Sequence, residues 1–440
     1  MTELDFSGAV AQLREINPVQ VSGRVTDVIG LVIEGSGPGM PIGGVCSIER
    51  RRGGSLVKAE VVGFRKNRVL LMPLGEVSGI EPGNRILVAR ERPSIGVGTG
   101  LLGRVIDGLG APLDGAGPLV VEKRIALYGE PINPLARIPI RTPLDLGIRA
   151  VNALLTCGRG QRLGIFAGSG VGKSSLLGMI ARTTRAQVNV IALVGERGRE
   201  VREFLERDLG AEGLARSVVI VATSDQPPLV RIRGAFLATA IAEHFRDSGL
   251  DVMLMMDSLT RLAMAQREVG LSIGEPPSAR GYTPSVFALL PRLLERAGVT
   301  ERGSITGLYT VLVEGDDMNE PVTDTARSIL DGHIVLARAL ANQGHYPAID
   351  VLQSISRLMP EIISPAQLAQ ANRIRGWLAT CRDAEDLVNI GAYRPGSSRR
   401  IDEAMLKREP IDAFLRQGLN ERAGLEESAQ ALAALSGGAA

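Results

Sequence analysis

The sequence predicts an α/β protein in three successive parts: a small N-terminal β-barrel, a central domain with a mostly parallel sheet, and a C-terminal α-helical domain. Three observations lead to this prediction. Short β-rich runs separated by glycine and proline turns fill the chain from Val19 to Arg90. Longer apolar runs then alternate with helical stretches. Beyond Pro360 strand signals end, and helical patterns continue through Leu435.

The composition allows packed domains and excludes several classes of protein. The 440 residues leave room for about three domains, and 45% apolar content is ample for their cores. Fifty basic residues face 48 acidic ones, so no broad electrostatic field favours nucleic acid or an anionic membrane. The three cysteines form no C-x-x-C pair. We therefore expect a cytoplasmic protein that binds no nucleic acid and reaches a membrane only through partners.

The first residues carry a short apolar stripe at helical spacing, which predicts an amphipathic helix over residues 1–17. This helix either packs on its own domain or binds a partner. The stripe consists of Leu4, Val10, Leu13 and Ile16.

Residues 18–93 predict the barrel. The runs V-C-S-I, L-V-K-A-E-V-V and R-V-L-L-M read as strands between turns such as G-S-G-P-G and E-P-G-N, which suggests about six antiparallel strands. Residues 94–360 form the predicted central domain. Its first part, 94–150, reads as a connecting segment, because Leu101 to Ile140 is too rich in Gly and Pro for long regular elements.

Five apolar runs in the central domain predict strands, and the helical stretches between them predict crossovers of a parallel sheet. Residues 361–440 are expected to form the helical domain. The predicted strands are Leu163–Phe166, Val188–Val194, Val218–Ala222, Val252–Met256 and Ile305–Val313.

A phosphate-binding loop follows the first of these strands. The run L-G-I-F-A-G-S-G-V-G-K-S-S-L-L-G-M-I places a strand, a glycine-rich turn and a helix in the required order. Lys173 would reach the β- and γ-phosphates of ATP, and the Ser174 hydroxyl suits Mg²⁺. Ala167 departs from the stricter pattern, which has Gly. The predicted nucleotide-binding residues of this loop are Ala167, Gly168, Ser169, Gly170, Val171, Gly172, Lys173, Ser174 and Ser175.

Two acidic residues follow other predicted strands. Asp257 ends D-V-M-L-M-M-D, and Glu196 follows V-I-A-L-V-G. Ligands of open α/β sheets bind at the carboxyl ends of the strands, so both carboxylates are expected beside the phosphate loop. We assign Asp257 to the Mg²⁺ and Glu196 to the water that attacks the γ-phosphate.

Three motifs resemble those of a known family. P-A-I-D-V-L-Q-S-I-S-R, from Pro347 to Arg357, together with G-E-R-G-R-E-V-R-E-F and V-L-V-E-G-D-D-M-N-E-P, is similar to the catalytic subunits of rotary ATP synthases and their type III secretion relatives. The last two motifs resemble the secretion branch, in particular the flagellar export ATPases. The resemblance covers nearly the whole chain and implies a central RecA-like P-loop ATPase domain that uses ATP and Mg²⁺.

By position, the resemblance also implies roles for single residues. Lys173, Ser174, Asp257 and Glu196 match the phosphate-loop lysine, the magnesium residues and the catalytic carboxylate. Arg357 resembles the arginine finger that reaches into the neighbouring subunit's site, and Tyr346 the aromatic residue that stacks on adenine. Arg197 and Arg261 are expected to support these groups.

The resemblance further implies a homohexameric ring, since each chain carries both the catalytic groups and the finger. The implied partners are a peripheral-stalk-like regulator, a central-stalk-like export protein, export-gate membrane proteins and substrate–chaperone complexes. The ring would lie at the cytoplasmic face of the inner membrane and help to release chaperones and deliver unfolded chains.

Other interpretations stay open at this point. Ile390 to Ala404 is basic and loop-like where rotary synthases carry an acidic lever, which favours export over ATP synthesis. A virulence-type injectisome ATPase is the nearest alternative to the flagellar one. A Rho-like RNA translocase would need aromatic residues for base stacking, and these are only 3% of the chain. An inactive structural subunit would typically lack Glu196.

Overall fold

The structure is a computed structural model that describes residues 21–50, 55–90, 92–313, 315 and 317–437. The helix predicted over residues 1–17 lies outside these ranges. The chain forms two compact units. The first unit ends at Ser94 and also includes Leu271–Glu275. The second contains Ile95–Gly270 and the chain from Pro276 onward.

The first unit is a closed barrel of six antiparallel strands, so the predicted barrel is confirmed. The strands pair in the order β1-β2-β5-β4-β3-β6, and β6 returns to β1. Ile33, Ile48, Leu71 and Ile86 fill its interior. The strands are β1 (Ser22–Ile29), β2 (Val32–Ser36), β3 (Val45–Ile48), β4 (Val57–Arg65), β5 (Arg68–Pro73) and β6 (Arg85–Arg90).

The connecting segment contains only short elements, as its Gly and Pro content predicts. β7 (Ser94–Val97) pairs with β9 (Lys123–Ala126), while β8 (Val105–Asp107) joins the central sheet.

The central sheet is mostly parallel, as predicted. Its order is β17-β16-β10-β15-β13-β11-β12-β8, and β14 pairs with β15. Among the described strands of this sheet, only the β16–β17 and β14–β15 pairs are antiparallel. The remaining strands are β10 (Arg162–Ala167), β11 (Val188–Val194), β12 (Ser217–Ala222), β13 (Asp251–Asp257), β14 (Gly298–Val299), β15 (Ser304–Leu312), β16 (Gly332–Leu336) and β17 (Ile349–Ser356).

Helices pack on this sheet, because its central strands are buried along nearly their whole length and need cover. α5 is buried along nearly all of its length and packs on β11, β12 and β13. The helices are α1 (Arg149–Leu154), α2 (Lys173–Thr183), α3 (Gly198–Glu203), α4 (Gly210–Ala215), α5 (Pro228–Asp247), α6 (Leu259–Ser272), α7 (Pro284–Leu294), α8 (Pro321–Ile329) and α9 (Arg338–Asn342).

The chain ends in four helices, which confirms the predicted helical domain. They are α10 (Met359–Ile362), α11 (Pro365–Asn389), α12 (Arg399–Leu415) and α13 (Leu425–Ser436). The expectation of a loop up to Ala404 was wrong in its second half. Residues 390–398 lack regular structure, but α12 begins at Arg399, since R-R-I-D-E-A-M-L-K consists mostly of good helix formers.

The helices share one apolar core with the sheet, through Trp377 and Leu415 among others. They belong to the same compact unit, so a domain boundary near residue 360 stays a prediction. Within the described ranges, none of the helices has the length and apolar character that a membrane span requires.

Candidate active site

The phosphate loop joins β10 to α2 at the carboxyl edge of the sheet. Gly170 and Gly172 have φ angles of 77° and 90°, in the left-handed region that favours glycine. Gly172 directly precedes α2, whose first residue is Lys173. The free N–H groups and the positive end of this 11-residue helix therefore point toward the loop, as an anion site requires.

Ala167 fits the position where the stricter motif has glycine. It is the last residue of β10, is buried, and is not among the described residues with a positive φ. Its carbonyl accepts a backbone hydrogen bond from Val313. The methyl group therefore sits in ordinary strand geometry without strain.

The structure brings Lys173, Glu196 and Asp257 together. The Lys173 ammonium lies 2.6 Å from Asp257 Oδ1 and 3.5 Å from Glu196 Oε1. The sheet register explains this placement: β11 and β13 are parallel neighbours, and Leu193 pairs with Asp257. Both strands end at the same edge, so the predicted convergence of the two carboxylates on the loop is observed.

Burial and charge act in opposite directions on these groups. Burial disfavours the charged ammonium of Lys173, but the Asp257 and Glu196 carboxylates outweigh it and raise its pKa. Burial, followed by the repulsion from Asp257, raises the pKa of Glu196. One ammonium is thus shared between two carboxylates, and Glu196 has more affinity for a proton than an exposed glutamate has.

The cluster fits a magnesium ion that arrives with a nucleotide. Carboxylate and hydroxyl oxygens are ligands that Mg²⁺ prefers, and Mg²⁺ usually takes one or two from the protein and the rest from phosphates and water. In the part of the chain that the structure describes, no group of three or more His, Cys, Asp or Glu side chains could hold a metal by itself. Ser174 and Asp257 are the residues that would contribute ligands.

Tyr346 lies beside the phosphate loop. A Cβ atom built on Gly172 would be 3.5 Å from two carbons of the Tyr346 ring. Tyr346 is 44% exposed, and its backbone carbonyl accepts a hydrogen bond from the backbone N–H of Gln417, just after α12. An exposed aromatic face next to the loop is thus available for a flat ring of a bound ligand.

Arg357 lies at the opposite edge of the sheet, where the amino ends of the parallel strands meet; we call this the amino edge. β17 starts where Ile349 pairs with Leu336, at the carboxyl end of β16, and it ends where Ser356 pairs with Gly332. The five residues of β16 separate the two edges by roughly 13 Å, at about 3.3 Å per residue. The structure therefore does not bring Arg357 to the phosphate loop of its own chain.

The Arg357 side chain is exposed, and its guanidinium donates a hydrogen bond to the Arg327 carbonyl near the end of α8. Its backbone N–H donates to the Asp331 carbonyl. Both contacts hold the residue at the amino edge of the sheet.

The supporting residues differ from one another. Arg261 packs against Gly195, because a Cβ on Gly195 would lie 2.7 Å from that of Arg261. The Arg197 side chain, in contrast, is exposed and lies 3.9 Å from Glu200. The Ser175 hydroxyl lies 3.4 Å from an oxygen of Asp208, so it bonds toward the neighbouring helical segment.

Thr310 lies outside all of the sequence motifs described above. Its hydroxyl donates a 2.6 Å hydrogen bond to the same Asp257 oxygen that Lys173 contacts. A threonine inside an apolar strand carries no sequence signal for such a contact.

Two cavities lie near this half of the sheet. The smaller, about 200 Å³, adjoins the loop and is lined by Ala167, Gly168 and Arg338 among others. The larger, about 380 Å³, lies between β17, α9, α11 and α12, and no residue of the phosphate loop lines it. The larger cavity is therefore not the phosphate site.

Sequence models of known families match three stretches of the chain. Residues 147–356 match the nucleotide-binding domain of the ATP synthase alpha/beta family, and residues 20–87 match its β-barrel domain. Residues 363–434 match the T3SS EscN ATPase C-terminal domain.

Individual proteins are similar over nearly the full length. The chain is 58% identical to the flagellum-specific ATP synthase of Bacillus subtilis, over 94% of this chain and 95% of that protein. It is 49% identical to a type 3 secretion system ATPase of Xanthomonas euvesicatoria, over 93% of each. Among solved structures, the assembled ATPase EscN in complex with its central stalk EscO, from enteropathogenic E. coli, is 44% identical with a TM-score of 0.87, and the match covers 94% of this chain and 100% of EscN.

Proposed function

This chain belongs to the ATP synthase alpha/beta family, within the flagellum-specific type III export ATPases, and from that premise we propose how its own residues perform the reaction. The observation that carries the proposal is the convergence of Lys173, Glu196 and Asp257 on a phosphate loop. Injectisome ATPases are close relatives, since the Xanthomonas protein is 49% identical.

The loop binds the phosphates of ATP. Backbone N–H groups at the start of α2 face the phosphate oxygens, and Lys173 exchanges its carboxylate partners for the β- and γ-phosphates. Ser174 and Asp257 contribute ligands to Mg²⁺, which neutralises charge on the phosphates when it is bound. The Tyr346 ring stacks on the adenine.

Glu196 orients and deprotonates the attacking water. Its contact with Lys173 is the longer of the two, 3.5 Å against 2.6 Å for Asp257, and its raised pKa suits a group that accepts a proton during the reaction. Once Lys173 has moved to the phosphates, the Glu196 carboxylate is free to bind the water.

Arg357 completes the site of a neighbouring copy. Because it lies at the amino edge of its own sheet, it can serve a phosphate loop only in another subunit. The relative EscN is described as assembled, and each copy of the present chain carries both the loop and the finger. Head-to-tail contacts between such copies close into a ring, and we propose a homohexamer.

The remaining partners follow from the same premise. EscN binds the central stalk EscO, and we propose a stalk-like export protein for this chain. A peripheral-stalk-like regulator, export-gate membrane proteins and substrate–chaperone complexes are the other proposed partners. Through them the ring would lie in the cytoplasm at the inner membrane and release chaperones from unfolded substrates.

The test separates binding from chemistry. Lys173→Ala removes the ammonium that contacts the phosphates and should weaken ATP binding. Glu196→Gln should bind ATP like the wild type but turn it over roughly 10²- to 10⁴-fold more slowly, as expected for loss of a general base. Phosphate release and binding of a fluorescent ATP analogue are measured on the same preparations.

Glu206→Gln is a matched control, since Glu206 forms an exposed ion pair with Arg202 and contacts none of the proposed catalytic side chains. Its turnover should equal that of the wild type. Near-normal hydrolysis by Glu196→Gln would show that another group activates the water.

A further inference from the structure

The Asp257 carboxylate, which is proposed to bind the metal, accepts hydrogen bonds from two side chains. One of them, Thr310, lies outside the sequence motifs. Thr310 lies on β15, between the strand that leads to the phosphate loop and the strand that ends in Asp257. The threonine is fully buried. Its hydroxyl donates to Asp257 Oδ1 at 2.6 Å.

Two donors converge on this one oxygen. The Lys173 ammonium also lies 2.6 Å from Asp257 Oδ1. Neither contact uses Oδ2, so together they fix the rotation of the carboxylate and leave its other oxygen for a further ligand. A hydrogen bond to a charged acceptor is among the stronger ones in proteins.

The two donors differ in what happens to them when the nucleotide binds. Lys173 has a flexible stem and a mobile charge, and in the proposed reaction it moves to the phosphates. Thr310 is β-branched, lies on a central strand and has few rotamers, so it stays where it is. Of the two, only the threonine can hold Asp257 while ATP occupies the loop.

We propose that Thr310 is a positioning residue: it holds Asp257 in the orientation that binds Mg²⁺ after Lys173 has left for the phosphates. This inference rests on the proposed function of the site and adds a residue to it. Groups that hydrogen-bond to a metal ligand and orient it contribute about 10- to 100-fold to metal affinity.

The same strand supplies a matched control. Thr306 lies four residues before Thr310 on the same face of β15 and is equally buried. Its hydroxyl accepts a 2.8 Å hydrogen bond from the Gly160 N–H, at the amino edge of the sheet. Replacing either threonine by valine removes one buried hydroxyl from one strand, but only Thr310 contacts the site.

The experiment measures how nucleotide binding responds to Mg²⁺. Binding of a fluorescent ATP analogue is titrated with Mg²⁺ and also measured in EDTA, for the wild type, Thr310→Val, Thr310→Ser and Thr306→Val. Thr310→Val should bind the analogue in EDTA like the wild type and need roughly 10- to 100-fold more Mg²⁺ to reach the magnesium-bound state. Thr310→Ser keeps the hydroxyl and should restore the wild-type Mg²⁺ titration.

The control decides between positioning and mere packing. Thr306→Val should lower the midpoint of thermal unfolding, because the Gly160 N–H loses its partner, and leave the Mg²⁺ titration unchanged. Should Thr310→Val not fold, Thr310→Ala replaces it in the same comparison.

Three outcomes would overturn the inference: a normal Mg²⁺ titration in Thr310→Val, an equal loss in both valine variants, or no rescue by serine. Each of these leaves the proposed function standing. A wild type that binds the analogue without any dependence on Mg²⁺ would instead contradict the proposed function itself.

Discussion

The two edges of the central sheet carry the same types of charged residue in different arrangements. At the carboxyl edge, one lysine ammonium is shared by Asp257 and Glu196. At the amino edge, the Arg162 guanidinium binds Asp331 through Nε at 3.1 Å and Nη2 at 3.0 Å. Its third nitrogen lies 2.6 Å from Glu295.

This difference separates a structural network from a reactive one. The planar guanidinium has enough nitrogens to pair with both carboxylates at once, so each acid at this edge has a cationic partner without a ligand. These contacts outweigh the effect of burial and raise the pKa of Arg162. The compact ammonium of Lys173 carries a single positive charge and lies beside two carboxylates. It therefore cannot pair equally well with both. An incoming phosphate and cation can therefore rearrange the carboxyl edge at low cost, whereas the amino edge stays fixed.

Arg357 also lies at the amino edge, but its side chain is exposed and is proposed to act in a neighbouring subunit. Its replacement should have the largest effect on turnover. Arginine fingers contribute about 10³- to 10⁵-fold to rate, or roughly 4–7 kcal/mol, so Arg357→Ala should be nearly inactive. It should still bind ATP, because the residue is remote from its own loop. Turnover and nucleotide binding are measured on the same protein, across a range of protein concentrations.

Mixing two inactive proteins tests whether the finger acts between subunits. In the proposed ring, Arg357→Ala and Glu196→Gln would each lack one half of the site, and an interface that joins the intact halves should recover part of the activity. Wild-type specific activity should also rise with protein concentration. Specific activity that is independent of concentration would contradict a finger supplied by a neighbour.

Asp331→Asn should produce the next largest effect, on stability alone. The variant loses the charge that Arg162 binds through two nitrogens and its backbone N–H. Hydrogen bonds to charged groups contribute about 1.5–3 kcal/mol, so the midpoint of thermal unfolding should fall by several degrees while nucleotide affinity is unchanged.

Asp324→Asn is the control for this variant, since Asp324 forms an exposed pair with Arg327 on α8. Exposed pairs contribute about 0–1 kcal/mol, so little change is expected. If Asp331→Asn weakened ATP binding as strongly as it weakened the fold, the two edges would not be independent.

Tyr346→Ala should have the smallest effect. Stacking of an aromatic side chain on a base contributes about 1–3 kcal/mol, so ATP affinity should fall roughly tenfold with little change in turnover at saturating ATP. Tyr346→Phe keeps the ring and should bind normally. A selective loss for ATP relative to inorganic triphosphate identifies the adenine as the group that stacks; an equal loss for both would show that the ring only supports the loop.

The sequence predicts strands well where both faces of the strand are buried. Val188–Val194 was predicted at both of its ends, since V-N-V-I-A-L-V is almost uniformly apolar. β16 and β17 were not predicted, because Gly332 and His333 open the first and polar residues interrupt the second. β17 lies at the edge of the sheet, where one side needs no apolar cover.

The site could be predicted as far as local signals reach. Glu196 and Asp257 each follow an apolar strand, and parallel strands deliver such residues to one edge. Thr310 has no such signal, because its partner Asp257 is 53 residues away and the contact depends on how β13 and β15 align. Thr306 looks the same in the sequence and contacts no site residue.

The closed barrel of the first unit has a consequence for the proposed ring, in which many copies of the chain would lie together. A strand at the border of an open sheet exposes unpaired N–H and C=O groups that can capture a strand from another molecule. In the barrel, β6 pairs with both β3 and β1, so the ring of strands has no border. Identical barrels can therefore be crowded side by side without exchanging strands or aggregating through them, and contacts between copies are left to their side chains.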